Sequence, residues 1–258
     1  MDKPLNSLDR HFHLPHVRRV EADRPLMWLR MGWEDMRSSP AASLGYGALF
    51  AVIGYLILAY AARMPYLFTA AISGFFLVGP LMAAGLYEIS RRHERGESVS
   101  FMDSLRGLQR HGDHLAYYGA FLAFALIGWE RLSAILFALF YHETASPDLA
   151  NFFQDVFLSG HYAQFVVSYL VIGGAIAGLI FALSVVSVPM LMDRDADIAT
   201  AMMSSARAVG HNLGAMAVWA GLIVALIGIG FATMMIGMVF LLPLVGHATW
   251  HAYKELIE

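Results

Sequence analysis

The residues best spaced for chemistry lie near the C-terminal end, in the run Gly246, His247, Ala248, Thr249, Trp250, His251. On a helix His247 and His251 are four positions apart and share a face, and two imidazoles at that spacing can reach one transition metal or haem iron. A pair is not a site. His114 and His211, each beside the start of an apolar run on the same membrane rim, are the candidates to complete it. The same residues also suit a plainer role, because histidine and tryptophan commonly hold polar tips in the headgroup layer and apolar bodies below it. A second constellation is Trp129, Glu130, Arg131, since an ionisable pair inside an apolar run is costly and functional by default. Counted from Leu115, Glu130 lies about 24 Å into a core about 30 Å thick, nearer the far face than the midplane, which suits an interfacial or structural ion pair. A third is Asp193, Asp195 and Asp197 around Arg194. Alternate carboxylates suit a Mg²⁺ or Ca²⁺ loop, but the glycine and distal glutamate of a calcium loop are absent; acids at this place also cap and charge the next helix.

The elements that must position these side chains are membrane helices. The 258 residues are 58% apolar and 14% charged, a balance outside the soluble range. Absence of cysteine removes disulfides, thiolate ligands and cysteine nucleophiles from the chain's own chemistry. A net charge of −3 gives no case for nucleic acid binding. No phosphate-binding loop, HExxH pattern or nucleophilic-serine elbow occurs.

Apolar runs cover 41–62, 66–89, 115–141 and 163–188, and a longer one extends over 213–250. A bilayer core needs roughly 20 apolar residues, so the last run is too long for one crossing and divides near 231–233, after Gly228 and Gly230. The expected architecture is therefore all-α, a polytopic transmembrane helical bundle of six spans arranged as three hairpins with cytoplasmic amphipathic helices. Residues 1–40 form a cytoplasmic N-terminal arm with an amphipathic helix, and 41–258 the six-span membrane domain. With six spans, all of the 17 Lys and Arg except Arg63 and Arg131 fall on one side, which the positive-inside rule makes the cytoplasm and which places both termini there. The segments before the three hairpins align on Arg37, Arg110 and Arg207, and each outgoing helix carries a proline, Pro80, Pro189 or Pro243, suggesting a threefold repeat. In the fourth run, Gly174 and Gly178 stand at the spacing that lets membrane helices approach closely.

Three stretches, VGPLMAAGLYEISRRHERGE, VSVPMLMDRDADIATAMMSSARAV and LPLVGHATWHAYKELIE, resemble a bacterial family known only as predicted integral membrane proteins, domain of unknown function 2189. The likeness covers roughly the region after the N-terminal arm and is most distinctive in PMLMDRD and GHATWHAY. It implies a protein of the bacterial inner membrane and names no activity. Two functions compete on the residues themselves. One is a non-enzymatic accessory or assembly subunit, in contact with lipid and with other membrane-protein subunits. The other is a transporter or handler of a metal ion or haem that uses His247, His251, His211 and His114. A membrane-embedded enzyme ranks third, because no complete catalytic set is present.

Overall fold

A computed structural model describes residues 14–61, 71–72, 74–75, 79–140, 154, 156 and 159–258. Much of the expected second span, together with Arg63 and most of the link between the third and fourth runs, lies outside the described residues. Four helices among those described are long and apolar enough to cross a membrane: Pro40–Tyr60, Gly112–Phe140, Ala163–Asp193 and Leu213–Ala232. The described residues are all-helical, apart from one isolated bridge between Val17 and Ile257.

The order is α1 (Arg24–Ser38), α2 (Pro40–Ala61), α3 (Ala84–Glu94), α4 (Phe101–Arg110), α5 (Gly112–Phe140), α6 (Ala163–Ser184), α7 (Ser187–Asp193), α8 (Ile198–His211), α9 (Leu213–Ala232) and α10 (Met238–Leu256). A pattern emerges at the entries to the apolar helices. The amphipathic helices α1, α4 and α8 each stop one residue before α2, α5 and α9 begin, with Ser39, His111 and Asn212 between them. Local chemistry explains why they start where they do. Ser100 and Asp103 form a reciprocal capping box on α4, and the Asp197 carboxylate accepts the Thr200 amide at 2.9 Å on α8.

The division expected within the last apolar run is present. α9 ends in a Schellman turn, in which the Met235 amide reaches the Gly230 carbonyl and the Met234 amide reaches that of Phe231, both at 2.9 Å. Met234 and Met235 take positive φ of 51° and 70°, where glycine would be cheaper by about 1 kcal/mol or more. The Thr233 hydroxyl secures the turn by donating to the Ile229 carbonyl and accepting from the Gly237 amide, both at 2.9 Å. α10 then follows, with a polar C-terminal half that keeps it out of the four apolar spans.

The chain forms two compact units. The first draws its described residues from Met1–Ala51, Pro80–Tyr118 and Ala182–Glu258. Its centre is α10, packed against α1, α3, α7 and α9. Thus the three outgoing segments that follow Pro80, Pro189 and Pro243 come together, since α3, α7 and α10 touch one another pairwise. Trp28, Tyr87, Trp219, Trp250 and Tyr253 fill its interior. The second unit draws on Val52–Gly79 and Gly119–Phe181. There Leu136, Val156 and Phe165 make an apolar core, while Trp129 stacks edge-on to Tyr169 at 5.0 Å and the Tyr169 and Ser133 hydroxyls meet at 3.0 Å.

Candidate functional site: a buried Asp, His and Ser network

Four helices of the first unit deliver polar side chains to one buried place. α1 turns Trp28, Gly32, Asp35 and Met36 inward, a helical i, i+4, i+7, i+8 stripe in which the third member is a carboxylate. From α3 come Ser90 and His93, three residues apart on one face; from α10 come His247 and His251; and α2 contributes Ser43 in its first turns.

Asp35 is 4% exposed and is the hub. Its Oδ2 accepts the Ser90 hydroxyl at 2.5 Å and His251 Nε2 at 2.8 Å, and its Oδ1 accepts His93 Nδ1 at 2.5 Å. Ser90 has spent its only proton on Asp35, so its oxygen accepts from His247 Nδ1 at 2.8 Å. That assignment leaves His247 Nε2 to accept the Ser43 hydroxyl at 2.9 Å. A single directed chain results, from Ser43 through His247 and Ser90 to Asp35, with His251 and His93 as further donors. Burial pushes the Asp35 carboxyl up, but the hydrogen bonds from His251, Ser90 and His93 and the charge of His251 outweigh it and hold the carboxyl below its ordinary range.

Two ionic assemblies flank this network. Glu88 is fully buried and is clasped by its own helix, with Arg91 Nε at 2.8 Å on Oε2 and Arg92 Nε at 2.8 Å on Oε1. Gly107 of α4 leaves room for it, because a Cβ there would come within 2.5 Å of the Glu88 side chain. The other assembly ties the chain ends together. Arg18 donates its amide to the Leu256 carbonyl at 2.9 Å and its Nε to Glu258 at 2.6 Å, while the Glu258 amide reaches the His16 carbonyl at 3.1 Å. Glu255 accepts both Arg24 Nε at 2.6 Å and Trp28 Nε1 at 2.7 Å, and Arg194 reaches the Glu258 carbonyl at 2.6 Å.

The structure separates the residues that spacing alone had grouped. His247 and His251 do share a face, yet they serve different partners, two serine hydroxyls for one and a carboxylate for the other. His211 is exposed in the last turn of α8 and His114 is half-buried near the start of α5; neither takes part in the network. Among the described residues no group of three or more His, Asp or Glu side chains is arranged to hold a metal ion. Glu130 and Arg131 form a 3.4 Å ion pair within α5, which continues unbroken to Phe140. Asp193 accepts from Tyr253 at 2.9 Å and from Lys254 at 3.2 Å, Asp195 is exposed, and Asp197 caps α8, so the three acids do not converge.

Asp35, Ser43 and Ser90 escaped sequence reasoning. The one usable signal was Asp35 standing seven residues after Trp28 on the inward stripe of an amphipathic helix. Chemically, the Ser43 and His247 pair has the separation of a nucleophile and its base. Both are fully buried, however, so no substrate atom reaches the Ser43 oxygen in this conformation.

A family model matches residues 67–193 and carries the description predicted integral membrane protein (DUF2189). Over residues 67–193 the chain is similar to that family. The DUF2189 match reaches from before α3 to the end of α7 and takes in Glu88, Ser90, His93, Glu130, Arg131 and Asp193. It stops short of α10, so the GHATWHAY stretch lies outside it, and so do Asp35, Ser43, His247 and His251. No curated protein and no solved structure matches the chain. The family description agrees with the four apolar helices in making this an integral membrane protein.

Proposed function

We propose that the protein is a non-enzymatic accessory or assembly subunit of a bacterial inner-membrane complex. The observation that carries this reading is a packing face on α9 that is left open among the described residues. Gly214, Ala217, Val218, Gly221, Val224, Ala225 and Gly228 recur at three- and four-residue intervals and are all exposed. No described atom lies within 4 Å of where a Cβ would stand at Gly221 or Gly228, and the same holds for Gly174 and Gly178 on α6. In lipid, helices associate through close backbone approach over small residues rather than through hydrophobic burial. Open faces of this kind suit helices of another subunit. The polar core agrees, because its groups are spent on one another and act as a brace.

Replacing Gly221 and Gly228 together by leucine is expected to strip partner subunits from the protein purified out of native membranes. The thermal midpoint of the isolated chain should hold or rise, since leucine meets no neighbour there and favours helix by up to about 1 kcal/mol per site. A wild-type protein that migrates alone on native gels after mild solubilisation would end this reading.

Six spans with both termini in the cytoplasm complete the proposal. The bridge between Val17 and Ile257 supports an even count, because residues paired through backbone hydrogen bonds share one side of the membrane. Four apolar helices, the run at 66–89 and α10 together make six. Single cysteines placed at His16 and Glu258 are expected to react alike, and only from the cytoplasmic side, with an impermeant maleimide in oriented vesicles; labelling from opposite sides would leave five spans.

A further inference from the structure

The inner face of α1 is committed to the network, but its outer face has different company. Leu26 at 61%, Met27 at 39% and Trp33 at 47% are exposed, and exposed Arg30, Glu34 and Arg37 fall on the same stripe at 100° per residue. Arg30 shares its charge with Glu34 at 3.4 Å, whereas Arg37 makes no ion pair among the described residues. An exposed tryptophan between two arginines is unusual company for water.

Two attachments set the level of this helix. Trp28 is buried edge-on against Trp219 at 5.8 Å, and Trp219 lies six residues into the apolar helix α9, about 9 Å along its axis by helix rise. At its other end α1 is joined to the apolar helix α2 through Ser39 alone. The exposed residues of α9 on the same stretch, Leu213, Gly214, Ala217 and Val218, carry no polar side chain. A helix held against one span and tethered to the next turns its outer face to the boundary between headgroups and acyl chains.

We propose that the outer face of α1 binds anionic phospholipid of the membrane in which the protein sits. Leu26, Met27 and Trp33 enter the acyl boundary, and Arg30 and Arg37 take the headgroup phosphates, their methylene stems lying along the apolar patch. The assignment rests on the membrane-spanning reading and is independent of any partner subunit.

The chain has no cysteine, so one introduced residue is a unique label site. Full-length protein carrying Trp33→Cys or Leu26→Cys, each with a nitroxide, is reconstituted in phosphatidylcholine vesicles with and without phosphatidylglycerol. Collision with oxygen and with a water-soluble nickel chelate then reports depth. In the anionic vesicles both labels should lie at the headgroup boundary, with low nickel and appreciable oxygen access. Adding Arg30→Gln and Arg37→Gln should raise nickel access several-fold there and change it little in pure phosphatidylcholine. Water-like nickel access in the parent would overturn the proposal. So would shielding from both reagents, which would mean a protein covers the face, or a depth indifferent to the two arginines.

Discussion

Asp35→Ala is expected to lower the stability of the folded protein by about 3–5 kcal/mol, the scale for removing one partner of a buried ionic cluster. The alanine would leave the His251 and His93 N–H groups without their acceptor, and His251 is buried where water does not replace it. It would also free Ser90 to turn its proton toward His247, reversing the chain that starts at Ser43. Asp35→Asn keeps one acceptor oxygen and sets an amide N–H against a donor, so its loss should be smaller but of the same sign. Thermal unfolding of the detergent-solubilised protein measures both. The acid limb of stability supplies a second readout. A carboxyl held lower in the folded state than its ordinary 3.8 stabilises fully above that value, and the contribution fades as pH falls through the depressed folded one. The wild type should therefore lose stability more steeply than Asp35→Asn below about pH 4. Equal midpoints for wild type and both variants would remove Asp35 from its place as the hub.

Gly32→Ala with Gly47→Ala is expected to cost up to about 4 kcal/mol in sum, from about 1–3 kcal/mol of overpacking less about 1 kcal/mol of helix propensity regained at each site. A Cβ at Gly32 would stand 2.7 Å from the Ala248 amide nitrogen and 2.9 Å from the Leu244 carbonyl oxygen. One at Gly47 would stand 2.7 Å from the Val239 carbonyl carbon and 2.9 Å from its Cα. All of these are backbone atoms of α10, which cannot yield by changing a rotamer. The helix as a whole must move away from α1 and α2, carrying His247 and His251 with it. Trypsin should then cut in the Arg18–Arg24 stretch that the end of α10 protects. Gly174→Ala and Gly221→Ala are the matched controls, because nothing described lies near either position and the change should be neutral or mildly stabilising. A loss at the controls as large as at Gly32 would point to backbone conformation rather than helix contact.

The contrast between these glycines shows what kind of information each level holds. All are glycines in or beside apolar helices, and Gly174 and Gly178 stand at GxxxG spacing. Gly32 and Gly47 bring helices together, while nothing among the described residues lies near Gly174, Gly178, Gly221 or Gly228. Spacing along one helix records which residues share a face. It does not record which other helix, if any, arrives there.

The histidines teach the same lesson from the chemical side. That His247 and His251 face one way follows from 3.6 residues per turn and was legible from their positions alone. Their partners were not, because Asp35 and Ser43 stand 216 and 204 residues away along the chain. Asp35 lies in an amphipathic arm that carries several other charges, and Ser90 stands before an arginine pair; only packing turned both inward.

By itself, then, the sequence determined four apolar helices, their approximate ends, the break before α10 and the amphipathic helices α1, α4 and α8. Those features depend on local quantities: the length of an apolar run against a bilayer about 30 Å thick, capping side chains within one turn, and helical periodicity. The tertiary structure alone decided that His247 and His251 join Asp35, Ser90 and Ser43 in one buried network, with His93 at its exposed edge, and that residues 16–18 pair with 256–258. Both depend on contacts between distant segments, where the cost of burying a carboxylate is met only when several helices bring donors to the same point.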